Sequence, residues 1–368
     1  AISRTLAAIN LDMVGENQDI CKSPLLIESP PEATSSYVMD LLESILERIS
    51  TDAQSLGGTS SYALFKQAMI PFSGGSDHYI LSDPTVGIPC PMLIQWPDKY
   101  YHTSEDTIDK VDPEMLKRVA VLTATYAYFI ANAGYEEAVW LVNESMTRFK
   151  GKLALSIQRK ISDLIDNLRT TYKKKTERKR AIERFARDLA NLTAYLASRR
   201  AESIKQISKL VEKPRQKQFS TVISTALSDI KTLTEHEHRR ALEELQSLVP
   251  DAKNLEQVLH RKPHLSLLER KAARTVPRRR FPGPISTRFL LSQLREEDRE
   301  KLGTIEKAMR ERQMGILPVL ALYWTDGKRT LKDISDLTYL ETGKEALKEL
   351  GIIFHLLEEA NLIEIRTT

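Results

Sequence analysis

Thr5-Leu6-Ala7-Ala8-Ile9-Asn10-Leu11-Asp12-Met13-Val14-Gly15 is an apolar run that ends in a carboxylate and a glycine. Its length and composition predict a buried strand over residues 5 to 11. An open α/β sheet presents its ligands just beyond the carboxyl ends of its strands, and Asp12 stands at such a place. Taken alone, that carboxylate fits a helix cap or a turn equally well. Ala1 is not an initiator Met, so a chain starting inside a strand is expected to be the C-terminal portion of a longer protein.

Working outward, further strand candidates fall at 23 to 28, 69 to 72 and 91 to 96. Between them, Val38, Leu41, Leu42, Ile45, Leu46 and Ile49 have the spacing of one helical face within Thr34 to Ser50. Gly57-Gly58-Thr59-Ser60-Ser61 is read as the cap of a short helix reaching Lys66. Asp112-Pro113-Glu114 supplies an N-cap, a first-turn proline and an acid, which predicts a helix to about Asn132. Short strands alternating with helices predict an α/β sandwich with a mainly parallel sheet over residues 1 to 147.

The whole chain has 368 residues, 41% hydrophobic and 28% charged, long enough for two or three cores. No apolar run approaches the roughly 20 residues of a membrane span. Cys21 and Cys90 have neither metal-motif spacing nor scaffold density, and a single bridge between them stays open. The net charge of +4 is mild, but Lys and Arg gather between about 148 and 215 and again at 270 to 280. Such runs read first as solvated helix faces and second as grips for an acidic partner.

From 148 the pattern changes to long amphipathic helices. Leu153, Ile157, Ile161, Leu164, Ile165 and Leu168 mark one, and Ile182, Phe185, Leu189, Leu192 and Leu196 mark the next. Together with a helix from Ser220 to Leu248 they predict an antiparallel hairpin or bundle, followed by a proline-rich linker at 260 to 287 carrying Arg278-Arg279-Arg280. Residues 148 to 287 thus form an all-α region with its linker. In 288 to 368 we expect a helix from Glu296 to Trp324, a short one after Thr330, a third capped by Thr342, and a strand at 361 to 365. That order matches a winged-helix-like module. Its third helix carries Glu341, Glu345 and Glu349 beside Lys344 and Lys348, so nucleic acid is not expected as a partner.

Two more polar knots follow the first: Ser73-Gly74-Gly75-Ser76-Asp77-His78, and Gln95-Trp96-Pro97-Asp98-Lys99-Tyr100-Tyr101-His102-Thr103 with Asp106-Thr107. With Asn10-Leu11-Asp12-Met13-Val14-Gly15 before them and Gly87-Ile88-Pro89 between the last two, they resemble the ordered motifs of the zinc aminopeptidase superfamily. That superfamily also includes glutamate carboxypeptidases and glutaminyl cyclases, and the resemblance covers about residues 1 to 147. It implies two zinc ions at the C-terminal edge of the strands, with Asp12 as a terminal ligand, His102 as a second, and Tyr101 donating its hydroxyl to the oxyanion. Asp77 is read as an acceptor behind a ligand or for a substrate amine, or else as a cap of the following helix, and His78 as pocket lining.

These residue types suit that chemistry. Zinc takes carboxylate oxygen and imidazole nitrogen at about 2.0 to 2.2 Å, and paired ions about 3.5 to 4 Å apart can share a hydroxide. The family's His-x-Asp and Glu-Glu motifs precede the Asp12 position and have no counterpart here, so the chain alone lacks a general base. One expectation is therefore a zinc exopeptidase acting on peptide substrates, present here without its N-terminal motifs. The other is a non-catalytic peptidase-fold protein that binds partners or nucleic acid. A homo-oligomer is left open, and no compartment can be read.

Overall fold

The computed structural model describes residues 2–50, 53–54, 61–62, 65–249, 255–259 and 264–367. The chain divides into two compact units, Ala1–Gly134 with Lys271–Thr368, and Tyr135–Arg270. Most of it is helical, with one small mixed sheet. The short helix expected between Gly57 and Lys66 lies largely outside the described residues.

In the first unit, β1 (Asn10–Asp12), β2 (Leu25–Glu28), β3 (Gln67–Ile70) and β4 (Met92–Gln95) form a sheet in the order β1-β4-β2-β3. β1 runs parallel to β4 and β2 parallel to β3, while β2 and β4 are antiparallel. The expected mainly parallel sheet is thus a mixed one. The first strand differs as well: it is three residues long and lies at an edge, and Leu11 is 44% exposed. An edge strand has one flank unpaired, so an apolar run there need not be buried.

Two helices pack together on this sheet unit. In α1 (Val38–Ser50) the stripe Val38, Leu41, Leu42, Ile45 and Leu46 is buried as its spacing predicts. α2 (Pro113–Asn132) starts where the capping chemistry puts it. Asp112 accepts from the Glu114 N–H at 2.9 Å, and Met115, Val119, Leu122 and Tyr126 face inward.

The second unit holds α3 (Tyr135–Thr170), α4 (Lys175–Ile207) and α5 (Gln216–Leu248), each packed on the other two. Leu141, Phe149, Leu153, Ile157, Ile161, Leu164 and Leu168 of α3 are all buried. The first of these helices begins well before the change of composition at 148, because its initial turns are apolar enough to continue the stripe.

The rest of the first unit corrects two sequence readings. β5 (Thr275–Arg279) lies inside the stretch expected to be a linker, and pairs antiparallel with β6 (Ile363–Thr367). The long helix expected from Glu296 to Trp324 is broken into α6 (Glu296–Glu311) and α7 (Leu317–Trp324). Gln313 at φ 55° interrupts the helical backbone, and Pro318 has no N–H to bond back. α8 (Leu331–Thr342) closes on Gly343 at φ 73°, and α9 (Leu347–Glu359) follows, so Thr342 ends a helix instead of capping the next. No helix among the described residues is long and apolar enough to cross a membrane.

Candidate functional site

Asp12 is the last residue of β1, half-buried, and pairs with Ile94 of the parallel strand β4. The turn after it is heavily constrained. Met13 sits at φ 52°, and Gly15 at φ 94° leaves room for Leu116 of α2, whose Cδ2 would lie 2.1 Å from a Cβ there. Only glycine meets both demands. Buried Gln95 staples this turn, its Oε1 accepting from the N–H groups of Gly15 and Glu16 at 2.7 Å each while its Nε2 donates to the Glu16 carbonyl at 2.9 Å.

The second motif hangs from Glu28, the final residue of β2. This carboxylate is 1% exposed and accepts four hydrogen bonds: from Ser73 N–H (2.7 Å), Ser73 Oγ (2.5 Å), Gly74 N–H (3.0 Å) and His78 Nε2 (2.7 Å). Burial raises its pKa, but the bonds from His78 and Ser73 outweigh that and hold it below the usual carboxylate value. His78 is fully buried with its edge to Phe72, so it anchors the loop from behind instead of lining an open pocket. Asp77 is exposed at the head of the one-turn helix His78–Leu81 and makes no capping bond from its side chain.

The third motif leaves β4 through the cis Trp96–Pro97 bond. Tyr101 is 39% exposed, its ring stacked on that of exposed His102 at 3.7 Å between centroids and set edge-on to Trp96. His102, itself a predicted ligand, lies at φ 56°, a non-glycine residue in left-handed backbone like Met13 beside Asp12.

The first and third motifs leave one end of the β1–β4 pair, and the second lies at the other end, beside Asn10. Asn10 Nδ2 donates to Ser76 Oγ at 2.8 Å, joining the first motif to the second. The parallel pairing of Asp12 with Ile94 sends the chain toward His102 off the same end of the sheet as Asp12. Among the described residues, the donors that come within 4.8 Å of one another in a group of three are Glu16, Cys21 and Asp98; Asp12 and His102 lie outside that group. Burial, then Asp98 and Asp106, push the Glu16 carboxyl up to about 7 against the opposing bond from Ser23, while burial and Glu16 push the Cys21 thiol up to about 11. A protonated thiol is a poor metal ligand.

Behind the second motif sits a layer that the sequence reading missed. Phe72 shares a buried cluster with Leu320 and Tyr323 of α7, and the Tyr323 hydroxyl donates to the Tyr79 carbonyl at 2.7 Å. Arg279 of β5, buried, meets Asp83 at 2.9 Å. Asp83 also accepts from Thr85 N–H at 2.8 Å. The segment from Phe72 to Asp83 is thus held by Glu28 on one side and by β5 and α7 on the other.

Residues 1–127 match the family model described as Peptidase family M28. Over 129 residues, 34% of this chain, the sequence is 29% identical to Aminopeptidase YwaD of Bacillus subtilis (strain 168), covering 25% of that protein. A solved structure, the aminopeptidase from Aneurinibacillus sp. strain AM-1, is 28% identical over 35% of this chain and 26% of its own, with a TM-score of 0.26. The chain spans about a quarter of the length of each.

Proposed function

We propose that residues 1–147 contribute part of a zinc-dependent exopeptidase site of the aminopeptidase type, which hydrolyses peptide bonds with a metal-activated water. The observation that carries this reading is the parallel pairing of Asp12 with Ile94, which sends the first and third motifs off the same end of the sheet, while the Asn10–Ser76 hydrogen bond ties the second motif to the start of the same strand. The similarity of the first third of the chain to Peptidase family M28 supports it. The donor types also fit zinc, an oxygen from half-buried Asp12 and a nitrogen from exposed His102.

In this reading Asp12 and His102 each hold one of two zinc ions. When bound, zinc polarises the scissile carbonyl and acidifies its water. Tyr101, held against His102, donates its hydroxyl to the charge developing on that carbonyl oxygen. Asp77, with no capping bond to make, accepts from the substrate amine. The rest of the ligand set and the general base come from outside these residues. The finer architecture we propose is a peptidase-type α/β/α sandwich followed by the helical region and a winged-helix-like module of α8, α9 and β6.

A second reading, a peptidase-fold protein without catalysis, is favoured by one observation: among the described residues, Asp12 and His102 lie outside the group of three donors that come within 4.8 Å of one another. Metal analysis of the full-length protein separates the two. We expect zinc in the wild type and its loss in Asp12→Ala and His102→Ala; unchanged stoichiometry in both variants would refute the assignment.

A further inference from the structure

The helical unit carries a feature that the peptidase reading does not use. At the turn between α3 and α4, residues 169–180 hold seven Lys or Arg, namely Arg169, Lys173, Lys174, Lys175, Arg178, Lys179 and Arg180, against the single acid Glu177. All but Arg178 are exposed. A solvated helix normally mixes its charges, as α5 does with Lys217, Lys231, Arg239 and Arg240 against Asp229, Glu235, Glu237, Glu243 and Glu244. The tip is different.

Local stability does not explain it. Cations at the end of α3 suit the helix dipole, but Lys174, Lys175, Arg178 and Lys179 crowd the N-terminus of α4, where positive charge is unfavourable. Arg178 donates to the Leu168 carbonyl at 2.6 Å and Lys173 to the Arg169 carbonyl at 3.3 Å, which serves the end of α3, and Glu177 lies 3.7 Å from the Lys174 ammonium. Those bonds account for Arg178 and Lys173 but not for an excess of seven cations over one acid in twelve residues, and a local rule broken in this way marks a functional surface.

Its shape narrows the partner. Arg215 meets Glu136 at 2.7 Å and Gln158 meets Glu244 at 3.3 Å, so α3 and α5 run side by side, and α5, ending at Leu248, stops short of the last two turns of α3. The basic tip is built from the end of α3, the turn after it and the first turns of α4, and the short helix Leu255–Leu259 packs on α4. Two helices side by side are about 20 Å wide, too wide for a DNA major groove of about 12 Å. The tip also has one aromatic, Tyr172, and no stacking row for single strands. A cavity of about 410 Å³ beside it takes Arg180 of the cluster with Lys160 and Arg184, balanced by Asp163, Glu177 and Asp188, and the remaining charge excess lies outside that cavity.

We propose that this tip docks on an anionic lipid surface, an array of negative charge that suits its exposed cations. The test is flotation of the full chain with vesicles of neutral phosphatidylcholine, and with vesicles containing about 30 mol % phosphatidylserine, in about 0.1 M salt. We expect binding only to the anionic vesicles, released at about 0.5 M salt, and weakened at least about tenfold in the variant Lys173→Gln/Lys174→Gln/Lys175→Gln/Lys179→Gln. The same variant should melt at the same temperature or higher, because it relieves the α4 terminus. Equal binding to neutral vesicles, no binding to anionic ones, or an unaffected variant each overturns the proposal. Tighter retention on duplex DNA than on anionic vesicles at the same salt assigns the tip to nucleic acid and overturns it too. A lower melting temperature in the variant would show that the cations serve stability.

Discussion

Glu16 lies four residues beyond Asp12, its carboxylate accepting from Ser23 Oγ at 2.7 Å, with Asp98 and Asp106 close enough to repel it. Its folded pKa, about 7, stands above the ordinary value of 4.5. The folded state therefore holds this proton more tightly than the unfolded chain does. That contribution to stability is fully present below about pH 4.5 and is lost as pH rises through about 7. Glu16→Gln removes the titration while keeping an acceptor for Ser23. The melting temperature of the wild type relative to Glu16→Gln should fall between about pH 5 and 8 and level off above; a flat difference would mean an ordinary carboxylate. Nothing in the residue pattern marks Glu16 for this. The place of Asp12 at the end of a strand was legible because a carboxylate ended an apolar run, and Glu28 ends the run Leu25-Leu26-Ile27 in the same way. What the pattern could not show is that Glu28 turns inward to His78 and so explains why that histidine is buried.

At the scale of elements, β5 is where sequence and structure part most. Three arginines among prolines read as a solvated connector, yet Arg279 is paired with fully buried Asp83 and donates a further bond to the Leu322 carbonyl at 3.4 Å. Two sequence-distant strands meeting edge to edge leave no local periodicity to find, whereas the α1 and α2 stripes are local and were readable. Arg279→Met leaves Asp83 charged in the interior with only Thr85 to satisfy it, which should cost about 3 to 5 kcal/mol in denaturant unfolding. Adding Asp83→Asn should recover part of that loss, and a coupling under about 0.5 kcal/mol would show the pair to be independent. Because Asp83 closes the segment that begins at Phe72, amides of the second motif should also exchange faster in Arg279→Met. Unchanged exchange there would mean that β5 does not steady the loop.

At the scale of the whole molecule, the two units carry separate buried sets: Ile27, Leu41, Leu93 and Leu122 in the first, Leu153, Ile157, Ile161 and Leu245 in the second. The second set was legible from spacing alone, because long helices repeat one stripe many times. The joining of 271–368 to 1–134 in one unit was not, since it depends on contacts across some 200 residues of sequence, such as Arg279 with Asp83. Units with their own cores open as separate cooperative blocks. Ile157, fully buried midway along α3, tests this directly. Ile157→Ala should lower the opening free energy of protected amides in 135–270 by about 2 to 5 kcal/mol, the usual cost of a core cavity. Native-state hydrogen exchange should find β2 and β4 amides unmoved in that variant, while Leu93→Ala does the reverse. If one substitution shifts both sets by the same amount, the chain unfolds as a single block, and the division into two units describes its packing but not its cooperativity.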